Sequence, residues 1–419
     1  MARRAWRIGV LCILLLGITV SPVSAQTDGD GLAPLPTQAT CVPWPTQGWP
    51  TAPVSPGVDP AAVDALGAQM VGPGAGDSVV VVHAGRLVYE RYADGLGPEN
   101  FLPSFSISKS FVATLVGMLV DDGVLALDQR APIDEWGDPD DPRHEITIRH
   151  LLHMSSGLLW NEVYGDESAD PFQLQQAGDH VAFVTERPLE AVPGTSFRYS
   201  TGDTAVLAGA IARVLGVSGP SYDALIRSRI FDPMGMDPAL PGFDDLGVWR
   251  GGSTTITTTR NYAKLGLLYL RGGVWDGQQL LSRQWVDFVR TPGLVPTYGA
   301  HFWLRGDDRF AMIGLLGQGV EIVPRLDLVV AVNNNPQRDA HIDAMVSLFQ
   351  NAQAPECPEG VAPAADSPPP VATLPATGAR AGTLVVFAGL SIALGGLAVL
   401  ASFIAHVAVP IHRSGRRTG

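Results

Sequence analysis

A serine three residues ahead of a lysine can support acyl transfer. Ser106 and Lys109 lie in residues 103–121, PSFSISKSFVATLVGMLVD. Beyond Lys109, the residues Phe111, Leu115, Met118 and Leu119 recur at helical spacing and predict a mostly buried helix. Three residues are nearly one turn, so the two side chains share a face and their heads can meet. A serine hydroxyl is a weak nucleophile and needs a neighbouring base. A lysine serves as that base when burial or a nearby positive charge lowers its pKa enough to free the amine. The helix N-terminus adds unpaired N–H groups that suit a developing oxyanion. Ser-x-x-Lys is a weak signal by itself, but composition sharpens it. Of 28 basic residues only Lys109 and Lys264 are lysines, and Lys109 sits inside an apolar run. A solvated lysine beside a capping serine fits that setting poorly.

The elements around this stretch predict an α+β domain. Residues 78–92 form two β runs about Ala84-Gly85, a hairpin. Helical patterns follow at 146–152, 179–185, 204–215, 222–230, 258–270 and 283–290, after a short one at 61–70. Strand patterns return at 298–304, 310–313, 319–323 and 328–333, and a last helix covers 340–350. The economical architecture is one antiparallel sheet built from both ends of the domain, flanked by helices, with a helical insertion between. Such a sheet brings the domain's ends together and places Cys41 near Cys357.

The rest of the chain bears on location and partners. A length of 419 residues allows one large or two medium domains, and 46% hydrophobic content supports a sizeable core. A formal charge of -13 argues against nucleic acid as a partner. Residues 1–25 carry Arg3, Arg4 and Arg7, an apolar run over 8–20, and Val23-Ser24-Ala25, the layout of a secretory signal peptide cut by signal peptidase. Cys12 leaves with that leader. Cys41 and Cys357 remain as an even pair in an exported chain, and a disulfide is expected. Residues 26–60, with Trp44 and Trp49, form an extended Pro-rich lead-in to a domain over 61–353. Residues 354–373 are a Pro/Ala-rich linker. Residues 383–405 carry no charge and are long enough to span a bilayer. Arg413, Arg416 and Arg417 then hold the tail inside and leave the large domain outside the cell.

Other candidates have plainer readings. Trp160 and Tyr164 follow Ser155-Ser156-Gly157 and either line a pocket or pack beneath it. Glu162 and Asp166 are expected to be solvated loop carboxylates. His150 and His153, three apart on a helix, match a metal pair, but no further ligand cluster accompanies them and they are taken as structural. No metal or cofactor is expected.

Three motifs together resemble a family. Ser106-Ile107-Ser108-Lys109, Tyr199-Ser200-Thr201 and Gly314-Leu315-Leu316-Gly317-Gln318 are similar in order and spacing to the motifs of the serine β-lactamase and penicillin-binding superfamily. ITIRHLLHMSSGL, PGTSFRYST and GGSTTITTTRNYAKLGLLYLRGG resemble its class C-type branch, and within it the nylon-oligomer (aminohexanoate-dimer) hydrolases. The resemblance covers residues 78–350 and implies the β-lactamase/transpeptidase-like fold. It implies that Ser106 attacks a carbonyl and Lys109 takes its proton. Tyr199 would relay a proton to the leaving group, its phenol acidified by Lys109. Backbone N–H groups of Ser106 and Gln318 would form the oxyanion hole, with Thr201, Leu315 and Gly317 against the substrate. The substrate implied is a small-molecule or peptide-like amide or ester. A D-Ala-D-Ala peptidase or β-lactamase, and a non-catalytic peptidoglycan-binding module, are the alternatives. Two positions depart from the pattern: Thr201 stands where Asn is usual, and Leu315 where Lys or His is common. Leu374-Pro375-Ala376-Thr377-Gly378, with the apolar span and arginine tail, resembles a sortase signal and implies attachment to peptidoglycan, the alternative being a retained membrane helix.

Overall fold

The computed structural model describes residues 31–355 and Cys357. The expected signal peptide, the 374–378 motif, the apolar span and the arginine tail lie outside the described residues. The centre is a six-stranded antiparallel sheet. Its strands are β1 (Ser78–His83), β2 (Arg86–Tyr92), β3 (Trp303–Gly306), β4 (Arg309–Gly314), β5 (Gln318–Val323) and β6 (Leu328–Asn333). They lie in the order β2-β1-β6-β5-β4-β3. The first strand pairs with the last along its whole length, from Ser78↔Asn333 to His83↔Leu328. Ala84 and Gly85, both at positive φ, make the turn between β1 and β2.

Alternation along the central strands divides the core between two faces. Val79, Val81, Val330 and Val332 join a cluster with Val63 and Met70 of α1 (Pro60–Met70) and Ile342, Met345 and Val346 of α5 (Arg338–Leu348). Val80, Val82, Val320, Ile322 and Val329 join the larger cluster with α2 (Ile107–Asp121) and α4 (Thr259–Leu270). Gly266 lets α4 lie close to the sheet, since a Cβ there would come within 2.8 Å of Val329. Helix α2 is buried at every position from Ile107 to Leu119, and its polar residues Ser108, Lys109, Ser110 and Thr114 are each hydrogen-bonded. Helix α3 (Thr201–Leu215) packs against it. It begins three residues earlier than its periodicity predicts, because Ser200 caps it by accepting from the Asp203 N–H at 3.0 Å.

Two other expectations change. Residues 298–302 are not a strand; β3 begins at Trp303. Tyr298, Ala300, His301 and Phe302 are buried there, and the His301 N–H donates to the Leu152 carbonyl at 3.2 Å, away from the sheet. The lead-in is not peripheral. Ala33, Leu35 and Val42 are buried, Arg290 donates to the Ala33 carbonyl at 2.7 Å, and Arg271 donates to Gln38 at 2.8 Å. Trp44 packs on Trp275 with ring centroids 5.3 Å apart. Cys41 and Cys357 form the expected disulfide, with Cα atoms 5.6 Å apart, and clasp this strap to the end of the domain.

Candidate active site

Ser106 is the N-cap residue of α2, and its side chain makes no capping bond. Phe105 before it has φ 44°, a left-handed conformation unusual for a bulky residue. The chain bends sharply there and leaves the Ser106 hydroxyl free for another partner. That partner is Lys109, whose Nζ lies 3.0 Å from Ser106 Oγ. The same Nζ lies 3.0 Å from Thr201 Oγ1 and 2.7 Å from the Gly252 carbonyl. Lys109 is 1% exposed. Burial lowers its pKa from 10.5 to about 8, against an opposing pull from Glu162.

Tyr199 stands at the same place but not in the expected state. Lys109 Nζ lies over its ring, 5.1 Å from the centroid, and directs its hydrogen bonds to Ser106, Thr201 and Gly252. The phenol is therefore not acidified. Burial and the Glu162 charge push its pKa up, and Ser106 offsets this only in part. Tyr199 is a neutral phenol. Its ring packs on Trp303 at 5.3 Å and edge-on to Tyr298 at 5.9 Å, so an aromatic wall fixes it.

Glu162 is the main correction. It is not a solvated loop carboxylate. Its Oε1 accepts from the Thr201 hydroxyl at 2.5 Å and from the Tyr164 phenol at 2.5 Å. Its Oε2 accepts from the Thr201 N–H at 2.8 Å and from the Trp160 indole N–H. Trp160 is 1% exposed and packs edge-on to Phe183, so it supports Glu162 from beneath and does not line a pocket. Tyr164 is 41% exposed, and its phenol also feels Ser106. Asp166 is exposed as expected and accepts from Ser168.

The third motif is a turn between β4 and β5. Leu315 is half-buried and Leu316 is exposed, at φ 59°. Gly317 faces the Asn335 backbone at φ 81°, where a side chain would collide, so the turn requires glycine there. Gln318 is 1% exposed; its side chain accepts from the Asn334 N–H at 2.5 Å and its carbonyl accepts from Arg338 at 3.2 Å. Gly314, paired with Gln318, lies beside the nucleophile's loop, where a Cβ would come 2.5 Å from the Ser104 carbonyl.

Sequence reasoning missed three contributors. The Gly252 carbonyl holds Lys109, and a Cβ on Gly252 would come 2.6 Å from Thr201 Cγ2. The glycine pair 251–252 was visible, but a carbonyl's direction is not. Asp203, on α3, is 0% exposed; its Oδ1 accepts from Ser156 Oγ at 2.7 Å and its Oδ2 has no partner. Burial raises its pKa from 3.8 to about 7. His301, also buried, is held neutral, its pKa lowered to about 3 by burial and by Lys109. His150 closes a capping box with Thr147, and His153 packs on Phe288 at 5.1 Å.

Residues 63–350 match the Beta-lactamase family. The chain is 26% identical over 289 residues to 6-aminohexanoate-dimer hydrolase of Paenarthrobacter ureafaciens, covering 61% of this chain and 71% of that protein. It is 31% identical over 134 residues to penicillin-binding protein 4* of Bacillus subtilis, covering 32% of this chain and 28% of that one. Among solved structures, a putative 6-aminohexanoate-dimer hydrolase from Bacillus anthracis shares the fold, with a TM-score of 0.59 at 21% identity over 74% of this chain and 88% of that one. With its matched span, fold and buried Ser–Lys pair, this chain belongs to the Beta-lactamase family of serine hydrolases.

Proposed function

We propose that the protein cleaves an amide or ester through an acyl-enzyme on Ser106 and works on the outer side of the cell envelope. The observation that carries this is Lys109: fully buried, 3.0 Å from Ser106 Oγ, with its pKa lowered to about 8. As Ser106 attacks the carbonyl carbon, Lys109 takes its proton. Tyr199, a neutral phenol over the same amine, gives a proton to the leaving group and recovers one from Lys109, which returns to the free amine. The oxyanion is received by the Ser106 N–H and by backbone at the Gly314–Leu315 turn. Water then attacks the ester on Ser106, the bond from the carbonyl carbon to Oγ breaks, and the proton taken from the water returns to Ser106 Oγ as the acid leaves.

Similarity to an aminohexanoate-dimer hydrolase supports a linear amide as one substrate class. The partial similarity to penicillin-binding protein 4* supports a second reading, D-Ala-D-Ala peptidase or β-lactamase chemistry. The apolar Leu315-Leu316 turn speaks against it. Surface attachment rests on the leader and on the 374–378 motif. The test is labelling with a fluorophosphonate, with the adduct located by mass spectrometry. Ser106→Ala and Lys109→Arg should both abolish the adduct, since arginine keeps the charge but cannot deprotonate. Wild-type labelling of a folded Lys109→Arg protein would sink the mechanism, and a wild-type chain that never labels would point to a non-catalytic binding module.

A further inference from the structure

We propose that Glu162 is a positioning residue that sets the direction of the hydrogen-bond chain through Thr201 and Lys109, so that the amine lone pair faces Ser106. This rests on the assignment of Ser106 as nucleophile and Lys109 as base. An ionised carboxylate can only accept hydrogen bonds. Glu162 Oε1 therefore obliges the Thr201 hydroxyl, 2.5 Å away, to donate to it. A hydroxyl has one proton, so Thr201 Oγ1 must accept from Lys109 Nζ at 3.0 Å. The Gly252 carbonyl, 2.7 Å from the same nitrogen, also only accepts. A neutral amine has two N–H donors and one lone pair. With both donors committed to Thr201 and Gly252, the lone pair is left for the Ser106 hydroxyl at 3.0 Å. The proton of Ser106 Oγ can then move only to Lys109 Nζ as Oγ bonds the carbonyl carbon.

The four donors around Glu162 explain its orientation. Trp160 Nε1–H and Thr201 N–H are obligate donors on Oε2, while Tyr164 and Thr201 hydroxyls meet Oε1. A glutamine fits the same space only with its carbonyl on the two N–H groups. Its NH2 then faces the two hydroxyls, which can turn to accept. Thr201 would next donate towards Lys109 and capture the lone pair, leaving Ser106 facing an N–H. The carboxylate thus does more than hold the loop. Glu162 also holds the Lys109 proton more tightly, so its removal frees the amine at lower pH.

Other groups face this centre. Lys109 meets the Tyr199 ring, and its charge helps keep His301 neutral. Asp203 on α3 feels the Glu162 charge, and Tyr298 feels Glu162, Asp203 and the two phenols Tyr164 and Tyr199. Asp203, with a pKa of about 7, titrates in the same region as Lys109, so an Asp203→Asn background separates the two limbs.

The experiment is the rate of fluorophosphonate labelling at Ser106 against pH, in the full exported chain. Glu162→Gln should lower the high-pH plateau by about tenfold or more and move the limb's midpoint about one pH unit or less downward. Glu162→Asp, which restores an obligate acceptor, should recover much of the plateau and the midpoint. Thr201→Val should match Glu162→Gln in plateau, Thr201→Ser should stay near wild type, and combining Glu162→Gln with Thr201→Val should cost little more than either alone. If Glu162→Gln does not fold, the Thr201→Val and Thr201→Ser pair decides. A Glu162→Gln protein with the wild-type plateau and midpoint, or a Thr201→Val protein that labels like Thr201→Ser, overturns the inference. A wild-type chain that does not label at Ser106, or a Lys109→Arg chain that labels normally, overturns the hydrolase assignment itself.

Discussion

Asp203→Asn should stabilise the protein at neutral and alkaline pH and leave it unchanged in acid. Asp203 is 0% exposed, accepts one hydroxyl at 2.7 Å, and leaves Oδ2 without a partner. Hydrogen bonds from Ser156 and Ser200 favour its ionised form and offset burial in part, while the charge it feels is Glu162, of the same sign. Burial therefore dominates, and its pKa rises from 3.8 to about 7. The sign follows from proton counts. Between about pH 4 and pH 7 the folded state holds a proton that the unfolded state has released, so stability falls as pH rises through that window. Above it the full difference persists. The interval from 3.8 to about 7 corresponds to about 4 kcal/mol. Asparagine has nearly the same shape and no charge, but leaves an amide where Oδ2 was unpaired. The expected gain at pH 8 is therefore about 2–4 kcal/mol, with none at pH 4. Urea unfolding of residues 26–373 across pH 4–9 measures it directly. Parallel wild-type and Asp203→Asn stability curves over the whole range would refute the argument, because they would mean Asp203 never carries a buried charge.

Turnover should rise tenfold per pH unit below about pH 8 and level off above it, as Lys109 loses its proton; a flat profile from pH 6 to 9 contradicts a lysine base. Thiol titration of the denatured, unreduced protein should find no free Cys41 or Cys357, and their replacement by serine should cost about 3–5 kcal/mol in chemical denaturation. Hydrolysis of p-nitrophenyl butyrate should exceed that of nitrocefin, and Leu315→His or Leu315→Lys should shift the ratio towards carboxylate-bearing substrates; faster nitrocefin opening by wild type reverses the order of the two readings. Mass spectrometry of the mature C-terminus should find cleavage between Thr377 and Gly378 in a host with a sortase, whereas a chain ending at Gly419 means a retained membrane anchor.

The parts legible in sequence are those set by local pattern. The 78–92 hairpin, the buried helix after Ser106 and the late strands 310–333 follow from periodicity and turn residues, and the structure places them as such. The Cys41–Cys357 bridge is expected from an even cysteine pair behind a leader-like segment, and a sheet that joins the domain's two ends brings the pair together. What was not legible depends on long-range placement. Glu162 lies in a polar loop with exposed neighbours, and only the approach of Thr201, 39 residues later, makes it part of the site. The segment 298–302 has strand-like composition, yet its groups turn to α2 and Leu152, where Ser110 donates to the His301 carbonyl at 2.8 Å. Tyr199 stands where expected, but its neutral state comes from burial and the Glu162 charge, with Lys109 lying over the ring.

The two departures from the superfamily pattern have different physical consequences. At position 201 a hydroxyl can accept from Lys109 and donate to Glu162 through one oxygen, so Thr201 and Glu162 work as a unit that neither residue's type announces alone. At position 315 the described residues offer no free cation in place of the usual one. Arg338 is the guanidinium that reaches the turn, and it is committed: Nη1 to the Gly314 and Gln318 carbonyls, Nε and Nη2 to the Asp339 carboxylate. A substrate carboxylate seated against Leu315 would lose hydration without a donor in return, a penalty of a few kcal/mol. At about 1.4 kcal/mol per tenfold, that is a hundredfold or more in selectivity. An ester or linear amide without a carboxylate beside the scissile carbonyl escapes that penalty. The same nucleophile and base would then run with a lip suited to uncharged acyl groups, which is why the butyrate-to-nitrocefin ratio is the more discriminating measurement.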